Sequence, residues 1–212
     1  MRITPWRLVP LKTTQPGDRA NHNRIQAAFS GWTLTWGGLR NNTQGEWWLF
    51  SQVVLILAVI LLPAWPVFTT DGAHGEPVML GWLLPIGWLL AIGWLLVAGG
   101  AVLAGQALIT LGANLSPLPD PKPGANLVNT GPYRLCRHPL YLAVLICAIG
   151  VMVLRLSALH GVLVVALALV LRGKARREEH RLLLVHPSYN QVFANTPGIA
   201  PWIPGLNWRV KT

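Results

Sequence analysis

The sequence predicts an all-α integral membrane protein with about four transmembrane helices, two longer ones followed by a short helical hairpin. Three observations predict it. Long apolar runs alternate with polar or proline-rich segments. Only 11% of the residues are charged, against roughly 25% in soluble domains. Eleven Trp are present, several at the ends of apolar runs, where an indole suits a membrane–water interface. Mean hydropathy is +0.44, in the same sense.

The net charge of +10 raises the possibility of a nucleic-acid partner, and the positions of the charges exclude it. No Lys or Arg occurs between Arg40 and Lys122, and the basic residues flank apolar runs. This is the pattern of cytoplasmic loops beside anionic headgroups, so membrane lipids are the expected partners. Two cysteines, Cys136 and Cys147, form neither a disulfide framework nor a metal cluster. The N-terminus has no apolar stretch of the kind a cleaved signal peptide requires.

Residues 1–46 form a basic N-terminal segment, in which 25–39 carries Phe29, Trp32, Leu34, Trp36 and Leu39 and suits either an interfacial helix or a poorly ordered basic tail. The remainder, 47–212, reads as one membrane-embedded domain. Its first span is 47–68, with Trp47, Trp48 and Trp65 near its ends. The loop at 69–77 carries Asp71 and Glu76 and no basic residue, which places it outside and the N-terminus in the cytoplasm.

The run 78–111 is long for one crossing and short for two. The loop before it is acidic and the segment after it basic, so the number of crossings is odd and one tilted helix is expected. Pro85 and Gly99-Gly100 are places where it would kink. Residues 112–126 follow, with Pro117, Pro119, Pro121 and Pro123 alternating in a stiff extended segment. The next apolar run is interrupted by Arg155-Leu156-Ser157 and flanked by basic clusters at both ends. Its crossing number is even, and two short helices at 140–154 and 158–172 satisfy that. From Arg172 the helix continues as a charged extension, and a proline-rich tail closes the chain. Both termini are therefore expected in the cytoplasm of a multi-pass protein.

Chemistry gathers at 127–141. Thr130-Gly131-Pro132-Tyr133 reads as a turn. Arg137-His138-Pro139 reads as a helix start, since proline at the first helical position lacks only an N–H that had no partner anyway. An imidazole, two phenols (Tyr133, Tyr141) and two guanidiniums (Arg134, Arg137) thus meet at a helix N-terminus. Glu178 and Glu179 lie among Arg172, Lys174, Arg176, Arg177 and Arg181 on the extension. Adjacent residues point about 100° apart on a helix, at 3.6 residues per turn, so at most one of the two easily faces a given pocket. The topology puts the loop and the extension on the same side, where they can face each other across a pocket at the membrane surface.

Taken together, LITLGANLSPLP at 108–119, LVNTGPYRLCRHPLYL at 127–142 and REEHRLL at 177–183 followed by Tyr189 resemble the isoprenylcysteine carboxyl methyltransferase and phospholipid methyltransferase superfamily. The resemblance covers about 80–204. It implies a membrane-embedded enzyme using S-adenosylmethionine, with the donor in a cytosolic pocket and a lipophilic methyl acceptor entering from the bilayer. By position, Leu127, Gly131, Tyr133, His138, Pro139 and Tyr141 would line the donor site, and Glu178 or Glu179 would bind the donor or the acceptor end. Arg137 and Arg176 would bind the methionine carboxylate or an acceptor carboxylate, which a guanidinium can grip bidentately. The expected catalytic set is His138, Glu178, Glu179 and Arg137, with no metal. Three positions depart from the family pattern. Ala143 replaces a common Gly, Val185-His186 replaces Phe-Gly, and the late aromatic is displaced to Phe193. An NADPH-dependent membrane reductase of the sterol-reductase type and a non-enzymatic adaptor are the alternatives. The sequence leaves the acceptor and the oligomeric state open.

Overall fold

The computed structural model describes residues 42, 45–65, 80–114 and 127–209 of the 212-residue chain. Among them are five α-helices and no strand: α1 (Glu46–Leu61), α2 (Leu80–Leu111), α3 (Pro139–Arg155), α4 (Ala158–Val185) and α5 (Tyr189–Phe193), with short 3-10 turns at Gly112–Asn114 and Gly131–Arg134. The expected interfacial helix at 25–39, the acidic loop at 69–77 and the alternating prolines at 117–123 lie outside the described residues.

Two stretches, Gly87–Leu111 of α2 and α4, are long and apolar enough to cross a membrane by length and composition; α1 and α3 are shorter apolar helices. In α4 the apolar part ends at Leu171, and Arg172 opens its charged half. The expected first span, 47–68, is shorter as a helix. It stops at Leu61 because Pro63 drives the residue before it out of the helical region, and Leu62 is extended at ψ 142°. The second run is a single unbroken helix, as expected, from Leu80 through Pro85 and Gly99-Gly100 to Leu111. The hairpin breaks at the expected place, with Leu156 in the left-handed region at φ 45° and Ser157 extended before α4.

The helices alternate in direction, and the contacts give the register. At one end Trp48 of α1 lies against Gly173 of α4, and the Lys174 ammonium donates to Gln52 Oε1 at 2.8 Å. At the other end Ser157 Oγ accepts from Trp65 N and donates to Trp65 O, both at 2.9 Å. The Arg155 guanidinium donates to Ile60 O at 3.1 Å, a cation set on the carbonyl end of α1. Ser157 makes no side-chain cap for α4 because its hydroxyl is committed to Trp65.

Helices α2 and α3 pack most closely, through small residues. A Cβ on Gly150 would lie 2.8 Å from Gly93 O and 2.9 Å from Val97 N, and one on Gly100 would lie 2.9 Å from Ala143 O. Between them the Cys147 thiol donates to Val97 O at 3.5 Å. Such close backbone approach is how helices associate where lipid supplies no hydrophobic drive. Gly99, by contrast, has open space where its Cβ would be.

The core runs from Val59 of α1 through Leu142, Leu145 and Ala148 of α3 and Leu167, Leu171 and Ala175 of α4 to Ile199, Ala200 and Leu206 of the tail. The tail is therefore part of the core, not an appendage. Gly150→Ala must push apart two backbones and is expected to lose about 1–3 kcal/mol, whereas Gly99→Ala stays within about 1 kcal/mol of the parent. Thermal unfolding in detergent measures both, and equal midpoints would contradict the close-packed seam.

Candidate active site

The site forms where the loop before α3, the charged half of α4 and the tail converge. Locally, Gly131 takes φ 55° to open the 3-10 turn, and a Cβ there would meet Thr110 Oγ1 of α2 at 3.1 Å. The turn delivers Arg137 and His138, both buried, to the start of α3, with Pro139 at its first position. Their backbone N–H groups are held by the tail: Arg137 N donates to Pro197 O at 2.9 Å and His138 N to Gly198 O at 3.1 Å.

Glu179 is the centre of the side-chain network. Its Oε1 accepts from Arg137 Nε at 2.7 Å and lies 2.9 Å from His138 Nε2. Its Oε2 accepts from the Trp208 indole N–H at 2.8 Å. The Arg137 guanidinium also donates to Thr196 O, and to Trp208 O at 3.0 Å. Burial pushes the Glu179 carboxyl up, but His138, Arg137 and Trp208 outweigh it and hold the group down at about 2. It is thus an ionised carboxylate with both oxygens occupied.

Glu178 is placed differently. Its side chain is 28% exposed against 8% for Glu179, which separates an accessible carboxylate from an enclosed one. Oε2 of Glu178 accepts from the Tyr141 hydroxyl at 2.9 Å and lies 3.7 Å from His138 Nδ1. The His138 and Tyr141 rings stack at 5.2 Å with planes 5° apart. The Lys174 ammonium sits 5.3 Å from the Tyr141 ring centre, which ties the site to Gln52 of α1. With Glu179 ionised, His138 Nε2 carries the proton, and in the neutral imidazole Nδ1 presents its lone pair on the Glu178 side.

Neighbouring groups sharpen the picture. The Tyr133 phenol is raised by burial and by the Glu178 carboxylate. Tyr189 of α5, buried and packed with Phe193 at 5.0 Å, is raised by burial and then by Glu179. Burial pushes the Cys136 thiol up to about 11, despite the His138 backbone N–H and the Arg137 charge, so it is not a thiolate at neutral pH.

The expected residues divide accordingly. Arg137, His138, Tyr141, Glu178 and Glu179 meet directly, and Pro139 starts the helix that carries Tyr141. Arg176 is exposed, with its guanidinium 5.4 Å over the Trp208 ring at the rim. Gly131 sits against α2, and Leu127 is half-buried at the start of the described loop. Trp208, the Thr196–Gly198 backbone and Lys174 are the participants that sequence reasoning missed. One signal for Trp208 was present: it is an indole in a polar tail, away from any apolar run.

The phospholipid methyltransferase family model matches residues 88–196, which spans α2 to the start of the tail and includes the Arg137–Glu179 pair. The chain belongs to the phospholipid methyltransferase family. The chain is also similar to the nickel-cobalt-cadmium resistance protein NccN of Alcaligenes xylosoxydans xylosoxydans, 36% identical over 76 residues, which are 35% of this chain and 36% of the relative. The cobalt-zinc-cadmium resistance protein CzcN of Cupriavidus metallidurans is 37% identical over 76 residues, 35% of each chain. The matched stretch thus spans about a third of each curated relative.

Glu179→Ala leaves Arg137 buried without its carboxylate and is expected to cost about 3–5 kcal/mol; Arg137→Met in the same chain recovers part of it. Glu178→Ala, removing a partly exposed group, costs about 1 kcal/mol or less. The stability from ionised Glu179 is complete above the ordinary carboxylate range and is lost as pH falls toward about 2. Unfolding midpoints of the four chains between neutral and acid pH check the magnitudes and the sign.

Proposed function

We propose that this chain is an integral membrane methyltransferase that moves a methyl group from S-adenosylmethionine to a lipophilic acceptor. In this reading residues 47–212 are one embedded domain with about four crossings. The site end, both termini and the basic segment 1–46 face the cytoplasm. The observation that carries the reading is the meeting of Arg137, His138 and Tyr141 with Glu178 and Glu179 where apolar helices give way to a charged helix end. Membership of the phospholipid methyltransferase family supports it.

The residues fit the donor. Glu178 has an accessible carboxylate whose Oε1 makes no hydrogen bond among the described residues, so it suits an ammonium or a ribose diol. Arg176 at the rim suits the methionine carboxylate. The rings of His138 and Tyr141 give the aromatic surface that an onium group favours. When bound, S-adenosylmethionine supplies a methyl group on a positively charged sulfur, transferred in line to a nucleophile.

The chain's own residues orient, shield and deprotonate. The ion pair of Arg137 and Glu179 holds His138 in one ring orientation, as a carboxylate orients an imidazole in other acid–base sites. Nδ1 of His138 is then free to accept the proton of a thiol or an ammonium acceptor, while a carboxylate acceptor needs no base. Enclosure by α3, α4 and the tail excludes water, which strengthens every charge interaction inside. The two relatives carry names from metal resistance. Among the described residues no three His, Cys, Asp or Glu side chains are grouped as metal ligands. We propose a modified membrane component as the link to any such role.

Detergent-purified protein is expected to bind S-adenosylmethionine and to pass isotope-labelled methyl to a component of a lipid extract. His138→Ala and Glu178→Gln each weaken donor binding by about tenfold or more, the scale of a lost charge-assisted hydrogen bond. Saturable binding of NADPH with no affinity for the donor would replace this reading with the reductase one.

A further inference from the structure

We infer that Trp208 is a positioning residue of this site: its indole N–H sets the plane of the Glu179 carboxylate, and through it the His138 ring. The inference rests on the reading of the site as a methyl-donor pocket and extends it to a segment beyond residue 196, where the family match ends.

The terminal torsion of a glutamate is broad, with no sharp rotamer of its own. Two donors, Arg137 Nε and His138 Nε2, share Oε1 of Glu179 and fix the position of that oxygen. Among the described residues the donor to Oε2 is the Trp208 indole, at 2.8 Å. Without it a buried acceptor loses its partner, and the carboxylate can turn about the shared oxygen. The indole is itself held from several sides. Its backbone carbonyl accepts from Arg137 Nη2 at 3.0 Å and from Gly198 N at 3.1 Å. The guanidiniums of Arg137 and Arg176 lie 5.8 Å and 5.4 Å from its ring centre. A Cβ on Gly198 would fall 2.7 Å from ring atoms, so the ring seats directly on that glycine's backbone.

The loop that carries the ring is anchored. Ile199 N and Ala200 N both donate to Leu206 O, at 2.8 Å and 3.1 Å, and all three side chains are buried in the core. Trp202 on the same loop is 63% exposed, so it provides an internal control. The charged and titratable groups that face Glu179 are Arg137 and His138 from the loop before α3, Glu178 beside it on α4, the Tyr189 phenol of α5, and Arg176 across the indole.

Trp208→Phe keeps an aromatic ring for the two guanidiniums and removes the five-membered ring of the indole with its N–H. Two measurements on detergent-purified full-length protein test the inference. The first needs no donor: the unfolding midpoint is followed from about pH 6 down to about pH 2, the range over which ionised Glu179 loses its contribution. One hydrogen bond fewer raises the folded-state pKa of Glu179, so Trp208→Phe loses less stability on acidification and its acid fall levels off at higher pH, while Trp202→Ala keeps the parent profile. The second is calorimetric titration with S-adenosylmethionine, in which Trp208→Phe binds about tenfold more weakly and Trp202→Ala binds as the parent does. A parent-like acid profile in Trp208→Phe overturns the inference, and so does parent-like donor affinity. If the parent protein binds no donor while the acid profile still moves, the methyltransferase reading fails and the hold of Trp208 on Glu179 stands.

Discussion

A carboxylate cannot be enclosed in protein unless its charge and lone pairs are met, and the design of this molecule turns on how Glu179 meets that condition. Arginine and histidine reach it from the loop before α3 and tryptophan from the tail, and backbone groups of the tail hold all three. An enclosed ion pair adds little stability over a well-packed apolar replacement, but breaking one is costly. The network therefore acts mainly as a specification. It determines which segments meet, in which register, and with which imidazole nitrogen turned toward the open side.

The apolar helices make that specification possible. Their small-residue seam between α2 and α3 sets the height of the loop before α3, since Gly100 lies against Ala143 and Thr110 against Gly131. At the far end, Ser157 and Arg155 fasten the hairpin turn to the end of α1. With both ends held, the single uninterrupted helix α4 carries Glu178 and Glu179 a set rise beyond the apolar layer, beside His138. Lys174, donating to Gln52, connects α1 to the same place. The neighbouring glutamates then differ in role because the helix turns between them. One has both oxygens bonded and is enclosed, while the other is partly exposed.

Much of this was legible in the residues. The unbroken second helix, the break at Arg155-Leu156-Ser157, the proline start of α3 and the helical continuation past Arg172 follow from local rules of chain geometry and charge. So did the expectation that the 127–141 loop and the acidic pair share one side. The end of α1 was misplaced because apolarity continues through Phe68, whereas the backbone obeys Pro63 and leaves the helix at Leu61. The tail was taken for a proline-rich close to the chain, yet Ile199, Ala200 and Leu206 belong to the core and Trp208 reaches the acidic pair. No periodicity announces a segment whose order comes from contacts made across the fold.

What the sequence by itself determined was the helical class, the direction of each apolar run and the chemical types present at the site, because those depend on composition, spacing and neighbouring residues. Which glutamate is enclosed, which imidazole nitrogen is committed, and that an indole from the last dozen residues caps the carboxylate were decided by tertiary structure alone. These are choices among partners distant in the chain, and only the packed arrangement of α3, α4 and the tail brings the competing donors within hydrogen-bond distance of one oxygen rather than another.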